Sequence, residues 1–504
     1  MTRTLDIPIS SGMHPTGTDS RASKWFRLFS GLRITDHGAE PWPAMTAQPL
    51  VLPYAANTSW ATLRKDGLVM RAQATGAAPA ASIYEGSDTK TTVYSPYEWA
   101  AQPVTPPAGV ASPEQRVPVK WHMVDMGGAW FLFDGAGGVY FRSGHNSNLW
   151  YAKYGQKTGC AHDGRLVLGG FDNSLNATTS AAHAYDYAAW HSYFATHSDD
   201  LPAPYASLAV GAPGANWVWW SSVGADDALF WFNKTHLEDG ILDLLTMGTS
   251  GLAVMPFTGS IVRILPLQGG IAVYGSNGAC FLASVMDPTP GYAVQPLPGW
   301  PEGLGVISVD GDTGGHLAVT NDGAVWTVSP DGGATPQEFK YLFSGASPSV
   351  VKDPYLGGWF IGPDVYGEHS YLDRHGLVRV NQRPTSVFVT TNSWTGALPA
   401  ATVVLDIITD TYPVTGGAVV AAVKLHGSCA TDTYVSLLFR RNGEWVETAS
   451  QLPDSRGLAV FNLPAHQFRV RVHGATLTGV KLERLEVFLD GLTVDGNASL
   501  RAIL

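Results

Sequence analysis

The groups that could do chemistry in this sequence are 15 histidines, 3 cysteines and 42 acidic residues, and their spacing joins few of them. His122, His162, His316 and His375 each lack a second histidine at i+2 or i+4, the spacing that would let one strand or helix face present two metal ligands. Cys160, Cys280 and Cys429 lie more than a hundred residues apart with no C-x-x-C pair. They support neither a cysteine zinc site nor a disulfide framework, and they read as small buried hydrophobes. Asp310-Gly-Asp312-Thr-Gly-Gly315 supplies half of a calcium loop, but its fifth position is glycine and its twelfth is Asn321 instead of a bidentate glutamate. The sequence has no G-x-S-x-G elbow, no H-E-x-x-H and no G-x-x-x-x-G-K-[ST], and Gly135-Ala-Gly137-Gly138 opens no helical pattern. The expectation is a chain with no catalytic residue, no metal and no cofactor, and so not an enzyme. A glycoside hydrolase or lyase stays open, because such a site can gather residues that lie far apart in the sequence.

One local motif is better formed. Ser329-Pro-Asp331-Gly-Gly333-Ala-Thr335 resembles the Asp-box S-x-D-x-G-x-T of sialidase-type propellers, with Pro336 where that motif ends in tryptophan. There the Asp side chain satisfies turn N–H groups and the Gly permits positive φ, so the motif fixes a turn and does no chemistry. The 17 tryptophans could stack on sugars, but Trp130, Trp217, Trp219, Trp231 and Trp326 lie inside strand-like runs, where core packing is expected.

The elements that would position such residues are strands. Gly and Pro number 56 and 33, charged residues are 14%, and hydrophobic and aromatic residues are 45% and 11%. That composition excludes intrinsic disorder and a charged coiled coil and fits a loop-rich β protein. The net charge of −11 leaves the surface without attraction for phosphate backbones or anionic lipid heads. No run of about 18 apolar residues occurs, and Met1 to Ser20 has neither the basic nor the apolar region of a secretory signal. The chain reads as a cytoplasmic product.

From residue 51 to 390, short β-branched and aromatic runs are punctuated by Asp-Gly, Asn-Gly and Gly-Gly, the hairpin signature. Hairpin turns are expected at Asp134-Gly135, Asn277-Gly278 and Asp322-Gly323, with others near 221–227 and 375. Their spacing recurs near 45 to 50 residues, the period of a β-propeller blade. The region then holds about seven degenerate blades; six or eight also fit, and the rival is one large β-sandwich. Residues 1–50 hold Pro8, Pro15, Pro41, Pro43 and Pro49 and read as an extended N-terminal arm. Its segment Arg21, Lys24, Trp25, Phe26, Arg27 and Phe29 has the composition of an interface anchor for a neighbouring subunit; a helix or strand laid on the domain's own surface is the alternative. After a linker at Thr390–Pro399, residues 400–504 read as an antiparallel β-sandwich, with Phe468, Val470 and Val472 on one face of a half-buried strand and a bulge near Glu483 or Arg484. The fold class is thus all-β.

The segment from Ser260 to Leu282, with its Gly-Gly-aliphatic strand, Asn277-Gly278 turn and Phe281-Leu282, is similar to blades of propeller proteins in phage tails. The plan of arm, degenerate propeller and small terminal β-domain resembles the tail hub or nozzle (tail tube or DNA-stabilisation) proteins of short-tailed bacteriophages. The resemblance implies a virion structural protein, assembled in the host cytoplasm, that forms a homo-oligomeric ring of six below the portal and adaptor. Its neighbours would be other tail proteins, tail fibres included, and genomic DNA passing without sequence-specific binding. No residue-level signature of that family transfers. A glycan- or receptor-binding propeller is the reading from a different class; exposed Trp or Tyr on loop tips would favour it.

Overall fold

The structure is a computed structural model. It describes residues 2–16, 25–43, 45–47, 59–63, 69–74, 81–87, 90–94, 120–126, 129–133, 135, 139–143, 150–152, 157–171, 214–221, 251–285, 291–380, 384, 386–390, 393–396, 405–414 and 419–490.

Short strands closed by tight turns dominate them. The N-terminal segment forms β1 (Thr2–Pro8), β2 (Phe26–Ser30), β3 (Leu32–Thr35) and β4 (Gly38–Pro41), followed by the two-residue β5 (Thr46–Ala47). Four-stranded antiparallel sheets follow in chain order. The first is β6 (Ser59–Leu63), β7 (Val69–Ala74), β8 (Ala81–Ser87) and β9 (Lys90–Tyr94). The second is β10 (His122–Asp125), β11 (Ala129–Phe133), β12 (Val139–Ser143) and β13 (Trp150–Ala152). The third is β14 (Thr158–His162), β15 (Arg165–Gly169), β16 (Trp217–Trp220) and β17 (Gly251–Val254). The fourth is β18 (Ile261–Leu267), β19 (Gly270–Gly275), β20 (Gly278–Val285) and β21 (Gly291–Pro296). The fifth is β22 (Val306–Asp312), β23 (Gly315–Thr320), β24 (Val325–Val328) and β25 (Ala334–Glu338), after which comes a one-turn helix α1 (Lys340–Phe343). The sixth is β26 (Ser349–Lys352), β27 (Trp359–Gly362), β28 (His369–Asp373) and β29 (Gly376–Val380). Then β30 (Val387–Thr390) and β31 (Ser393–Gly396) form a three-stranded sheet with β5, which pairs in parallel with β31.

This is a β-propeller, with seven blades among the described residues. The first strand of each blade is innermost, and neighbouring inner strands pack side by side: β10 on β14, β14 on β18, β18 on β22, β22 on β26, and β30 on β6. Burial falls outward within a blade. Every residue of β19 and β23 is buried, whereas the outer strands β21 and β25 are largely exposed. The turns follow the sequence signals. Ser276-Asn277 closes β19 onto β20 with Gly275 opposite Gly278, and Asn321 to Gly323 closes β23 onto β24. Of the turn expected near 221–227 only Ser221 is among the described residues, and the expected linker at Thr390–Pro399 contains strand β31.

The C-terminal strands are β32 (Leu405–Thr409), β33 (Tyr412–Pro413), β34 (Val419–Ser428), β35 (Tyr434–Arg441), β36 (Glu444–Glu447), β37 (Leu458–Pro464), β38 (Gln467–Gly474) and β39 (Lys481–Asp490). Phe468, Val470 and Val472 are fully buried, and the β34–β39 register skips Glu483, which is the bulge. The N-terminal segment is no free arm. β1 pairs with β39 from Thr2↔Asp490 to Pro8↔Arg484, β2 pairs with β32, and β4 meets β39 at Leu482↔Ala39. The sandwich is therefore discontinuous, made of residues 2–41 and 405–490, and the propeller is inserted between its halves. Prolines did not prevent this, because Pro8 and Pro41 stand at strand ends, where a missing N–H is tolerated.

The two modules share a sheet. β29, the outer strand of blade six, continues through β2 into β32, β38, β35 and β36. Backbone bonds Gly12 N–H to His375 O (2.9 Å) and Met13 N–H to Leu377 O (2.7 Å) lock that seam. Trp42, on the way into the propeller, packs edge-on against Tyr371 of blade six at 4.9 Å. One core runs across the junction, with Phe26, Phe29, Leu405 and Val487 joined to Leu317, Val350 and Tyr371.

Candidate functional site

Arg263, Asp310 and Lys352 bring charged residues of three blades together on inner strands. Arg263 on β18 is 9% exposed, and its Nη2 lies 3.5 Å from Asp310 Oδ1 on β22. Asp310 Oδ2 accepts the backbone N–H of Lys352 on β26 at 2.9 Å, and its backbone carbonyl accepts Trp359 Nε1–H at 3.1 Å. The Lys352 ammonium sits 3.8 Å from the Trp359 ring centroid. Lys120, just before β10 of blade two, donates to Val309 O (3.2 Å) and Val350 O (3.0 Å) of blades five and six. Its side chain thus bridges blades that are not neighbours in the ring.

Polar side chains on these strands also bond the main chain of the next blade. His122 Nε2 accepts Gly159 N–H at 3.3 Å, Thr158 Oγ1 accepts Ile264 N–H at 3.1 Å, and Ser308 Oγ accepts Val350 N–H at 3.0 Å. Together with Asp310 and Lys352, these bonds join blade two to three, three to four and five to six. An inner strand has no sheet neighbour on its inward edge, so each contact satisfies a backbone donor that would otherwise be buried and unpaired. Burial, reinforced by Arg263 and Lys120, holds the His122 pKa well below its ordinary value. The ring is therefore neutral, as acceptance by Nε2 requires. Burial also lowers the Arg263 guanidinium and the Lys352 ammonium, against the opposing pull of Asp310 on both.

What this arrangement does chemically is brace. Asp310 is committed to Arg263 and to a backbone amide, and burial pushes the Cys160 and Cys280 thiols up to about 12, far from a reactive thiolate. Among the described residues, no group of three His, Cys, Asp or Glu is placed to hold a metal ion. Asp312, of the half calcium loop, accepts Gly314 N–H within its own turn at 2.8 Å.

The turn residues do as their types imply. Asn277 Oδ1 accepts Gly259 N–H (2.7 Å) and its Nδ2 donates to Thr258 Oγ1 (2.8 Å). Asp322 accepts the Thr320 hydroxyl (2.6 Å) and the Ala324 N–H (3.3 Å) and pairs with Lys340 at 2.8 Å; Gly323 has φ +86. Asp331 accepts the Ser329 hydroxyl and the Gly333 N–H, but the positive φ (+91) belongs to Gly332, not Gly333. Gly135 has φ +74, and Asp134 lies outside the described residues.

The proposed interface anchors need correction. Phe26 and Phe29 are 0% exposed and stack edge-on at 5.3 Å inside the chain's own core, so they anchor no partner. Trp25 is half-buried, 6.5 Å from the His14 ring, and Arg27 is half-buried. Arg21 and Lys24 lie outside the described residues. What sequence reasoning missed is the brace of Lys120, Thr158, Arg263, Ser308, Asp310 and Lys352. A faint signal existed: Arg263 and Ser308 interrupt the apolar runs Ile261–Leu265 and Val306–Val309 at positions that a strand buries.

No family model matches the chain, and no curated protein matches it. Among solved structures it is similar to the extracellular domain of a hybrid two-component system from B. thetaiotaomicron, at 10% identity and TM-score 0.39, covering 83% of this chain and 47% of that one. The chain thus spans about half the length of that protein. It is also similar to a structure of the mitotic checkpoint complex (8% identity, TM-score 0.36, 69% and 90% covered). A third is YCF48 bound to a D1 peptide (9% identity, TM-score 0.31, 71% and 91% covered). Likenesses this distant carry no argument about function, and the propeller is defined by the chain's own sheet topology. No described helix is long and apolar enough to cross a membrane.

Proposed function

We propose that this chain is a structural component of a bacteriophage virion tail, a hub or nozzle subunit of a sixfold ring below the portal and adaptor that surrounds the DNA exit path. The observation that carries this reading is the axial brace: Lys120, Arg263, Asp310 and Lys352 are bonded to main chain and to each other across blades two, four, five and six. Charges used this way stiffen a ring of blades against deformation, which suits a part that retains and then releases a pressurised genome. The sandwich supports the same reading, since blade six and the sandwich share one sheet and one core. Six copies carry 6 × −11 = −66 charges, so DNA would slide past an acidic wall by like-charge repulsion. On this reading the chain is no enzyme and is assembled in the host cytoplasm. Antibody raised against the purified chain should label the neck end of purified virions, at six copies per particle; absence from virions overturns the proposal.

A second reading has one observation in its favour. Tyr355 and Tyr366 stand 47% and 70% exposed at loop tips of blade six, where a glycan- or receptor-binding propeller would carry them. Glycan-array binding abolished by Tyr355→Ala or Tyr366→Ala would favour it. Polysaccharide turnover lost on a single Asp or Glu substitution would make the chain a glycosidase instead.

A further inference from the structure

The sequence contains two Asn-Gly pairs, Asn277-Gly278 and Asn442-Gly443, and the fold treats them oppositely. The first is held. Asn277 Oδ1 accepts Gly259 N–H at 2.7 Å and its Nδ2 donates to Thr258 Oγ1 at 2.8 Å, while Gly278 is buried against Phe257, which an added Cβ would meet at 2.8 Å. The second is open. Asn442 and Gly443 are the whole loop between Arg441 and Glu444, the last pair of the β35–β36 hairpin, and both have positive φ, +52 and +89, as in a I′ turn. Both are exposed, nothing lies within 4 Å of where a Gly443 Cβ would stand, and among the described residues no group bonds the Asn442 side-chain amide. A side-chain bond to the tip comes from Arg440 Nε–H, which donates to Gly443 O at 3.1 Å. Farther down the hairpin β36 is secured: the Trp445 ring lies 3.9 Å from the Arg469 guanidinium, and Glu447 takes the Ser436 hydroxyl at 2.5 Å and Arg471 Nη1 at 2.9 Å. Among the described residues β36 is an edge strand paired in its sheet with β35, so the tip can open while the base of the hairpin stays closed.

We propose that Asn442 is a self-modification site, at which the folded chain deamidates through a cyclic imide formed with Gly443. The Gly443 nitrogen gives its proton to solvent and attacks Asn442 Cγ; the new C–N bond closes a five-membered imide, the Cγ–Nδ2 bond breaks, and the amide nitrogen leaves as ammonia. Water then opens the ring. Cleavage of the bond to Cγ leaves aspartate, and cleavage of the bond to the backbone carbonyl carbon leaves isoaspartate, with the chain routed through the side chain. Neither step needs an oxidant or a reductant. Glycine permits the attack, since it has no Cβ to crowd the nitrogen and samples the backbone angles that bring the nitrogen onto Cγ. Reaching Cγ requires the turn to loosen, so the open pair reacts and the pair tied to Gly259 and Thr258 does not. The product sets a new carboxylate next to Arg440 and Arg441 in the chain, and isoaspartate adds a backbone atom to a loop whose two residues fix the register of β36. The sandwich edge thereby records the age of the molecule.

The test is peptide mapping by mass spectrometry after the full chain has stood at pH 8 in heavy-oxygen water, with a parallel sample in urea. In the folded chain the heavy oxygen should enter the peptide carrying Asn442 at least tenfold faster than the peptide carrying Asn277. In urea the difference should vanish, both pairs converting within about twofold of each other, because nothing then holds either amide. Isoaspartyl methyltransferase should methylate the aged folded chain and leave an equally aged Asn442→Ser chain unmodified. An Asn442 that stays intact in the folded chain while it converts in urea would mean that the turn protects it. Equal conversion of both pairs in the folded chain would mean that the hydrogen bonds of Asn277 decide nothing, and methylation that persists in Asn442→Ser would place the isoaspartate elsewhere. Each of these three results overturns the site.

Discussion

His316 shows what one residue's protonation does to this fold. It is fully buried on β23; Pro266 O can only accept, so His316 Nε2–H donates to it at 3.0 Å and Nδ1 accepts the Tyr274 hydroxyl at 2.9 Å. Burial lowers its pKa from 6.5 to about 4. The unfolded chain therefore takes up a proton first as pH falls. Stability from this site is intact above about pH 6.5 and is lost progressively down to about pH 4, by about 3 kcal/mol in total. Burial pushes His122 the same way, so it too withdraws stability as pH falls below the ordinary histidine range. Urea unfolding at pH 7 and pH 4.5 should show this loss, and His316→Gln should show a smaller one; an equal loss in the variant sinks the assignment. Tyr274→Phe leaves Nδ1 buried without its donor and should cost about 1 to 3 kcal/mol at pH 7. Neither histidine was marked by spacing, because its partner, Tyr274 or Gly159, lies on another blade.

At the scale of elements, hairpins were legible and inter-blade contacts were not. Asn277-Gly278 and Asp322-Gly323 announce their turns because the chemistry of a two- or three-residue turn is local. The bonds from Thr158 to Ile264 and from Ser308 to Val350 span loops of any length and leave no periodic trace. Thr158→Val and Ser308→Ala should each cost about 1 to 3 kcal/mol, because each leaves a buried amide unpaired. Hydrogen exchange should quicken at Ile264 in the first and at Val350 in the second; unchanged protection at those amides would contradict the brace. Two glycines separate strain from crowding in the same way. Gly303 has φ +74 with nothing within 4 Å of an added Cβ, so Gly303→Ala should cost about 1 to 2 kcal/mol from backbone strain alone. Gly323 has φ +86, and a Cβ there would meet Ser344 N at 2.4 Å, so Gly323→Ala should cost more and shift the end of α1. Equal midpoints for the two variants would mean that the turn yields freely.

The whole molecule is a sandwich interrupted by a propeller, and this is what the sequence concealed. Residues 1–50 show no alternation because their strands are short, bulged at Phe26–Leu28 and broken by prolines, while β39 and β32, the partners of β1 and β2, lie more than 350 residues away. A pairing of that range has no local signature. Its consequence reverses the expectation attached to a free arm, for which truncation would spare the fold and only block docking. Ile7, Ile9, Met13, Phe26, Phe29, Leu32 and Ile34 are all buried, each at 3% exposure or less. At about 1.5 to 3 kcal/mol per buried side chain they contribute on the order of 10 to 20 kcal/mol of gross burial, as large as the whole net stability of a domain, ~5 to 15 kcal/mol. Removing residues 1–41 should therefore unfold the sandwich and leave the edges of β32 and β39 unpaired, the condition that invites aggregation. The truncated chain should be poorly soluble and should be cleaved rapidly by protease within residues 405–490, with the propeller blades far from the seam cleaved last. Recovery of a soluble truncated chain with the wild-type thermal profile would mean that the C-terminal strands close a core without the N-terminal ones, and the discontinuous sandwich would have to be abandoned.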